Sequence, residues 1–448
     1  MTTYTKSRYI VLSDHEYVGA DGGLRRLAYS TRTGKVFPVG RSVVTSLENG
    51  TIDDIPANVV EALVRTSLLV RAGADEPADI LAENIVAAQD RSRLYISLLP
   101  TAYCNMSCAY CGQEHRRGQL GREHRDLVRE RVVRRLRQPE TKRAKICWFG
   151  AEPMMGYSAI RDLAKDFIAT ADECGVPYES LIVTNGTLLT ADNIGVLARE
   201  CRIGHFEITL DGPPEVHDRH RPLKSGGKSF WRIIDTVRPA VERHPDVNWQ
   251  FRTNVDKNNE ESVGAYLELM AKLGFGLPNV SFSIARVHPW GNDVSAFESS
   301  LGGFAAREAG WLEQAMALGL RTPLLPGGRR TSVCSVVTRA EEHISATGAV
   351  FSCNEEALVP RHEQELALGN VRQRNLPLLR PVGPYDDWNE SVANGEAWCR
   401  DCVFLPICGG ACPKSWREGR PPCPSYKLNI QQRIDMVARQ SGYRRVDG

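Results

Sequence analysis

The sequence lacks any uninterrupted apolar run near the ~20 residues that a membrane span requires, and Met1–Leu12 has no positively charged stretch leading into an apolar core. No membrane span or secretory signal is therefore expected, and the chain reads as cytoplasmic. It also lacks a surplus of charge: 56 Lys plus Arg face 54 Asp plus Glu, a formal net charge of +2. That balance provides no broad basic field for nucleic acid or an anionic bilayer, and no stripe of aromatic and basic residues interleaves as a single-strand binder needs. Cysteine is too sparse for a disulfide scaffold, at 13 in 448 residues. The rest of the composition, 42% hydrophobic and 25% charged, is that of a globular chain long enough for two or three domains.

The cysteines that are present are clustered. Three fall within Cys104–Cys111 and seven between Cys334 and Cys423, leaving Cys147, Cys174 and Cys201 in apolar surroundings, where they read as buried structural thiols.

The hydrophobic pattern divides the chain into three parts. Residues 1–91 read as strands, two helices and a closing strand. Tyr9–Leu12, Leu27–Ser30 and Val36–Val39 are strand-like, Ser42–Leu47 and Ala57–Leu68 helical, and Leu69-Val70 a closing wing-like strand. Such an α+β unit is either a stabilising cap or a winged-helix/RRE-like peptide-binding module. Residues 92–307 alternate apolar strands with amphipathic helices, as parallel β/α units do. The candidate strands are Leu94–Leu99, Ile146–Phe149, Leu181–Thr184, Phe206–Leu210, Asn248–Asn254 and Val280–Ile284, which predicts an α/β fold, a partial (β/α)6 TIM-like barrel. Active sites of such barrels sit in the loops after the strands. Residues 308–448 are loop-rich, and Pro377–Pro424 shows neither strand nor helix pattern, so bound metal is expected to replace missing apolar burial there.

Directly after the first barrel strand stands Cys104-x3-Cys108-x2-Cys111, with Tyr110 before the last cysteine. Three thiolates from one loop can hold three irons of a [4Fe-4S] cube and leave the fourth open to an external ligand. A structural zinc site would need a fourth ligand nearby, for which His115 is available. The motif resembles that of the radical S-adenosylmethionine (radical SAM) enzymes. The resemblance implies that the cofactor's amino and carboxylate groups chelate the open iron and that one electron from the cluster yields a 5'-deoxyadenosyl radical. Further residues resemble the family strand by strand. Gly150-Ala151-Glu152-Pro153 is similar to its Gly-Gly-Glu-Pro segment, with Ala151 in place of the second glycine. Thr184-Asn185-Gly186-Thr187 is similar to its Thr-Asn-Gly, and Thr209-Leu210-Asp211-Gly212 to its Ser-Leu-Asp-Gly. His217-Asp218 and Arg221 follow, and Arg252 lies at the fifth strand. The resemblance makes Gly150, Ala151, Glu152, Asn185, Thr209, Asp211, Arg221 and Arg252 the candidate cofactor contacts, with Glu152 facing the ammonium and Arg221 the carboxylate.

The carboxyl region reads Cys334-x13-Gly348-x4-Cys353, then Cys399-x2-Cys402-x5-Cys408-x3-Cys412, then Cys423. This resembles the seven-cysteine SPASM domain. The resemblance implies two auxiliary [4Fe-4S] clusters, three in all. Cys399, Cys402, Cys408 and Cys423 would hold the outer auxiliary cluster, and Cys334, Cys353 and Cys412 the inner one. One inner iron is then open, or held by a non-cysteine residue or by substrate.

These resemblances imply an enzyme that oxidatively modifies, and most simply cross-links, a ribosomally made precursor peptide, with an electron donor such as flavodoxin or ferredoxin. The amino-terminal part would hold a leader sequence. Alternatives are a sulfatase-type formylglycine maturase, for which the acidic residue normally after the cysteine at Cys353 is Asn354 here, and a peptide epimerase. A non-enzymatic iron-sulfur carrier would not leave an iron open, and a zinc-stabilised module would show more symmetrical knuckles.

Overall fold

The computed structural model describes residues 3–118 and 120–446. Its centre is a sheet whose six parallel strands are Arg93–Leu98, Arg143–Trp148, Tyr178–Thr184, Ile203–Thr209, Asn248–Val255 and Val280–Arg286, adjacent in chain order. Each run predicted from the sequence is present, lengthened by one to three residues at its amino end in most cases. Alternate residues face opposite sides. Ile96, Ile146, Ile182, Phe206 and Phe251 turn outward, fully buried beneath helices such as Tyr157–Glu173 and Phe230–Arg243. Tyr95, Cys147, Leu181, Val183 and Glu207 turn into the barrel lumen. Among the described residues Val280–Arg286 pairs with Asn248–Val255 alone, so the barrel stays open on that side.

On its other side the sheet continues into the carboxyl-terminal region. Glu341–Ile344 pairs parallel to Arg93–Leu98, and Ala349–Phe351 and Gly369–Asn370 follow antiparallel. This extension delivers Cys353 to the rim of the barrel two residues after a strand. The region expected to be without regular structure holds the short helices Trp388–Ala393, Leu405–Cys408 and Pro413–Arg417. At 4–6 residues each, they are too short to show a periodicity.

In the amino-terminal part Leu24–Ser30 is the central strand, flanked by Ile10–Leu12 and Tyr17–Val18 on one side and by Lys35–Gly40 on the other. Helices Arg41–Asn49 and Ala57–Arg65 follow, and Leu69–Arg71 pairs with an unanticipated Tyr4–Lys6. The three parts are not separate in space. Helix Glu76–Ala88, missed in the sequence, packs Ile80 and Leu81 against Tyr385, Trp388 and Val392. Helix Ile430–Gln440 packs Ile434 and Ala438 against Tyr17, Leu27 and Tyr29, and Arg444–Arg445 adds an edge strand to Tyr17–Val18. The boundary expected between residues 307 and 308 falls inside one continuous helix, Leu301–Ala317. Cys174 is exposed at the end of helix Tyr157–Glu173, against expectation, whereas Cys147 and Cys201 are buried. No helix among the described residues is long and apolar enough to cross a membrane.

Candidate active site

A cavity of about 420 Å³ opens at the carboxyl ends of the barrel strands, and Cys104, Cys108 and Cys111 line one wall. Their loop is pinned at several points. Thr101 Oγ1 donates to the Gly118 carbonyl at 2.9 Å, Ser107 N to the Pro222 carbonyl at 3.0 Å and Lys224 N to the Asn105 carbonyl at 2.9 Å. Met106 is fully buried beneath it. Burial pushes the Cys104 thiol up to about 11 and the Cys108 thiol up to about 12, with the Arg221 cation pulling both back. Three thiols brought from one loop to one cavity wall are a donor set that fits an iron-sulfur cluster.

Of the residues named for the cofactor, Gly150, Ala151, Asn185, Thr209, Arg221 and Arg252 line the same cavity. Gly150 sits at φ +81° with Leu99 so close that a Cβ would stand 2.4 Å from Leu99 Cγ. Ala151, the departure from the glycine pair, also adopts a left-handed φ of +48°. The backbone there thus keeps the glycine-like course that the sequence motif implies, at a steric cost.

Glu152 and Asp211 stand elsewhere than expected. Both are 0% exposed and neither lines the cavity. Glu152 Oε1 accepts from Thr184 Oγ1 at 2.6 Å and Met154 N at 3.0 Å, and Oε2 from Asn185 N at 2.7 Å. Its lone pairs are thus spent on the next strand end, so it shapes the wall from behind. Asp211 accepts from Tyr110 Oη at 2.7 Å and from Asn254 N at 2.8 Å. Burial alone would raise its pKa, yet Arg221 and His220 hold it down at about 2. His217 and Asp218 are also structural. His217 Nδ1 accepts from Asp211 N at 3.2 Å, and Asp218 accepts from Ser229 N and Phe230 N at the start of the next helix.

Two buried donors in the cavity wall, Arg221 Nε and Gln113 Nε2, have no protein partner. Arg221 also bonds Tyr110 Oη. Orphaned donors beside a thiol loop fit a ligand that brings carboxylate or carbonyl oxygens, as the amino-acid end of S-adenosylmethionine does. Arg252 Nε donates to Asn254 Oδ1 at 2.9 Å, fixing that side chain at the rim.

The opposite wall was not legible in the sequence. His288 and Trp290, just past the last barrel strand, and Asn354 and Glu355, just past Cys353, face the cavity. His288 Nε2 lies 3.3 Å from Glu355 Oε1, and Trp290 Nε1 donates to the Glu355 carbonyl at 2.9 Å. No motif marks His288 or Trp290, and Asn354 and Glu355 were noted only as the residues that follow Cys353.

The other cysteines form two sets. Cys399, Cys402, Cys408 and Cys423 line one small pocket with Trp398 and Trp416. Cys334 lies near enough to both Cys353 and Cys412 to raise their thiols electrostatically. Among the described residues no three Cys, His, Asp or Glu side chains converge tightly enough to hold a single metal ion.

Three cysteines after the first strand of the barrel thus face a cavity at its carboxyl rim. Residues 98–270 match the radical SAM superfamily model, so the barrel carries a radical SAM domain. The chain is 22% identical over 380 residues to the serine-type anaerobic sulfatase-maturating enzyme of Bacteroides thetaiotaomicron, covering 72% of this chain and 83% of that protein. It is 21% identical over 374 residues to the cysteine-type enzyme of Clostridium novyi, covering 76% and 96%. Its fold is similar to a solved structure described as native anSMEcpe with bound AdoMet and Cp18Cys peptide, with a TM-score of 0.60, 15% identity and coverage of 78% of this chain and 98% of that one.

Proposed function

We propose that this chain is a maturase that oxidatively modifies a peptide, most simply by cross-linking a ribosomally made precursor. In this reading Cys104, Cys108 and Cys111 hold a [4Fe-4S] cluster, and the carboxyl region is a SPASM domain. There Cys399, Cys402, Cys408 and Cys423 hold one auxiliary cluster, and Cys334, Cys353 and Cys412 hold the other. Bound S-adenosylmethionine supplies the radical that takes a hydrogen atom from substrate. Arg221 and the Gln113 amide orient that cofactor, Gly150 and Ala151 give it close backbone, and Asn185 and Thr209 hold the rim.

The observation that carries the reading is that the loop after Cys353 and the loop of Cys104–Cys111 are two walls of one cavity. A substrate radical formed there would lie near the loop of Cys353, whose cluster, when bound, would accept its electron. The amino-terminal strand Tyr4–Lys6 has Leu69–Arg71 on one edge and no strand partner on the other among the described residues, which supports leader binding by strand addition. A flavodoxin- or ferredoxin-type donor would supply electrons.

A second reading, formylglycine formation on a sulfatase, is favoured by the two sulfatase-maturating relatives. The residue after Cys353 is Asn354, but the Glu355 carboxylate one position on reaches the same cavity.

The test is anaerobic turnover of a peptide encoded beside the gene by wild type and by Cys353→Ala, with dithionite. Support is 5'-deoxyadenosine from both and modified peptide from wild type alone. Equal product from Cys353→Ala would refute a role for the inner cluster.

A further inference from the structure

His220 stands between two buried carboxylates. Its Nδ1 is 3.1 Å from Asp211 Oδ2, at the end of strand Ile203–Thr209, and its Nε2 is 3.0 Å from Asp256 Oδ2, at the end of Asn248–Val255. A neutral imidazole has one N–H and one lone pair, so it can donate to only one of these oxygens and must repel the other. The doubly bridged geometry therefore demands the imidazolium, with both ring nitrogens donating.

Each carboxylate is otherwise occupied. Asp211 accepts from Tyr110 Oη and Asn254 N and lies 3.5 Å from Arg221 Nη1. Asp256 Oδ1 accepts from Asn258 N at 2.7 Å. From the cysteine loop, the Tyr110 ring lies over the imidazole with centroids 5.1 Å apart. From its own helix, Arg219 shares a cleft with His220, and His217 points to Ser229. Counted together, Asp211, Asp256, His220 and Arg221 are neutral. Removal of the imidazolium charge leaves two buried carboxylates with the Arg221 guanidinium as their counter-ion, and draws it away from the cavity it faces.

We propose that His220 is a positioning residue for cofactor binding: clamped between Asp211 and Asp256, its cation frees Arg221 to serve the cavity and braces the cysteine loop through Tyr110. The proposal rests on the reading of Arg221 as a partner of the cofactor's carboxylate. His220 does not line the cavity and takes no part in the chemistry.

The test uses the reconstituted full chain, reading S-adenosylmethionine affinity by calorimetric titration before reduction, where the same loss is expected in Kd as in KM, and 5'-deoxyadenosine release after reduction with dithionite. His220→Gln keeps a polar side chain but no charge, and His220→Arg restores a cation with two donors. The expected result is a KM for S-adenosylmethionine raised about 10–100-fold in His220→Gln, the scale usual for lost second-layer partners, with kcat changed far less and partial recovery in His220→Arg. Arg221→Met, measured alongside, must also raise KM; an unchanged KM there would refute the underlying reading of the site. If Arg221→Met raises KM and His220→Gln, with wild-type iron content, does not, the role given to His220 is overturned. Should His220→Gln fail to hold iron, the wild-type profile decides: KM constant from pH 6 to 8 and rising above about pH 9 supports the proposal, and a flat profile to pH 10 contradicts it.

Discussion

Arg131 and Glu342, 211 residues apart in the chain, form a two-point ion pair in the interior, Nε to Oε1 at 2.8 Å and Nη2 to Oε2 at 2.7 Å. The pair joins helix Arg122–Leu136 of the barrel to the strand Glu341–Ile344 that extends its sheet. Arg131 Nη1 also donates to the Pro377 carbonyl at 2.9 Å. The strand that leads toward Cys353 is thereby fixed to the domain that holds the first cysteine loop.

Arg131→Met leaves Glu342, 0% exposed, as a buried charge without its partner. The expected loss is about 3–5 kcal/mol in the transition that unfolds the barrel, and the Arg131→Met, Glu342→Leu double variant recovers most of it. Denaturant unfolding followed by circular dichroism measures both. Equal loss in single and double variants would show that packing, not charge, decides.

The Gly150-Ala151 pair gives a prediction of opposite signs at neighbouring positions. Gly150→Ala places a Cβ 2.4 Å from Leu99 Cγ at a left-handed φ and should cost at least about 2 kcal/mol. Ala151→Gly relieves a left-handed alanine worth about 1–2 kcal/mol and loses roughly 0.5–1 kcal/mol to chain entropy, so its melting temperature should equal or slightly exceed that of wild type. A destabilised Ala151→Gly would mean that the Ala151 methyl does more in packing than its backbone costs.

Iron content tests the thiol sets. Wild type should hold about twelve irons per chain, at about four per cube, Cys104→Ala about eight, and the Cys399→Ala, Cys402→Ala double variant about eight. Cys104→Ala should also give no 5'-deoxyadenosine. A wild-type count near four would remove both auxiliary clusters from the account.

The barrel strands were legible because each is a short apolar run with polar or glycine-rich residues after it, and helices fill the gaps. The joins were not. Glu341–Ile344 and Arg444–Arg445 are too short and too polar to announce a strand, and they exist because an edge was waiting: Arg93–Leu98 for the first and Tyr17–Val18 for the second. Of the site, the cavity-lining Cys104, Cys108, Cys111, Asn185, Thr209 and Arg221 were found, since each stands directly after a strand or in a dense motif. Glu152 and Asp211 were found but misplaced, because sequence order does not tell a residue facing the cavity from one bracing its wall. His220 ends the helix Pro214–His220, Asp256, His288 and Glu355 follow three different strands, and no spacing along the chain links them.

The charge on His220 makes stability depend on pH with a definite sign. Burial would lower its pKa, but the hydrogen bonds it donates to Asp211 and Asp256 raise it to about 9, above the ordinary value near 6.5. The folded state thus binds the proton more tightly than the unfolded state, so the contribution is complete below about pH 6.5 and is lost as pH rises through about 9. Wild type should lose more stability than His220→Gln between pH 6.5 and 9.5 in parallel denaturant titrations. Parallel curves for the two proteins would contradict a charged His220.

The most direct test of the central claim is the mass of the peptide encoded beside the gene after anaerobic co-expression with wild type, against a Cys104→Ala control. Oxidative maturation predicts a loss of two hydrogens, about 2 Da, per modified site with wild type and an unmodified peptide with Cys104→Ala. An unchanged mass accompanied by deuterium uptake from heavy water would contradict oxidative maturation and identify epimerisation instead.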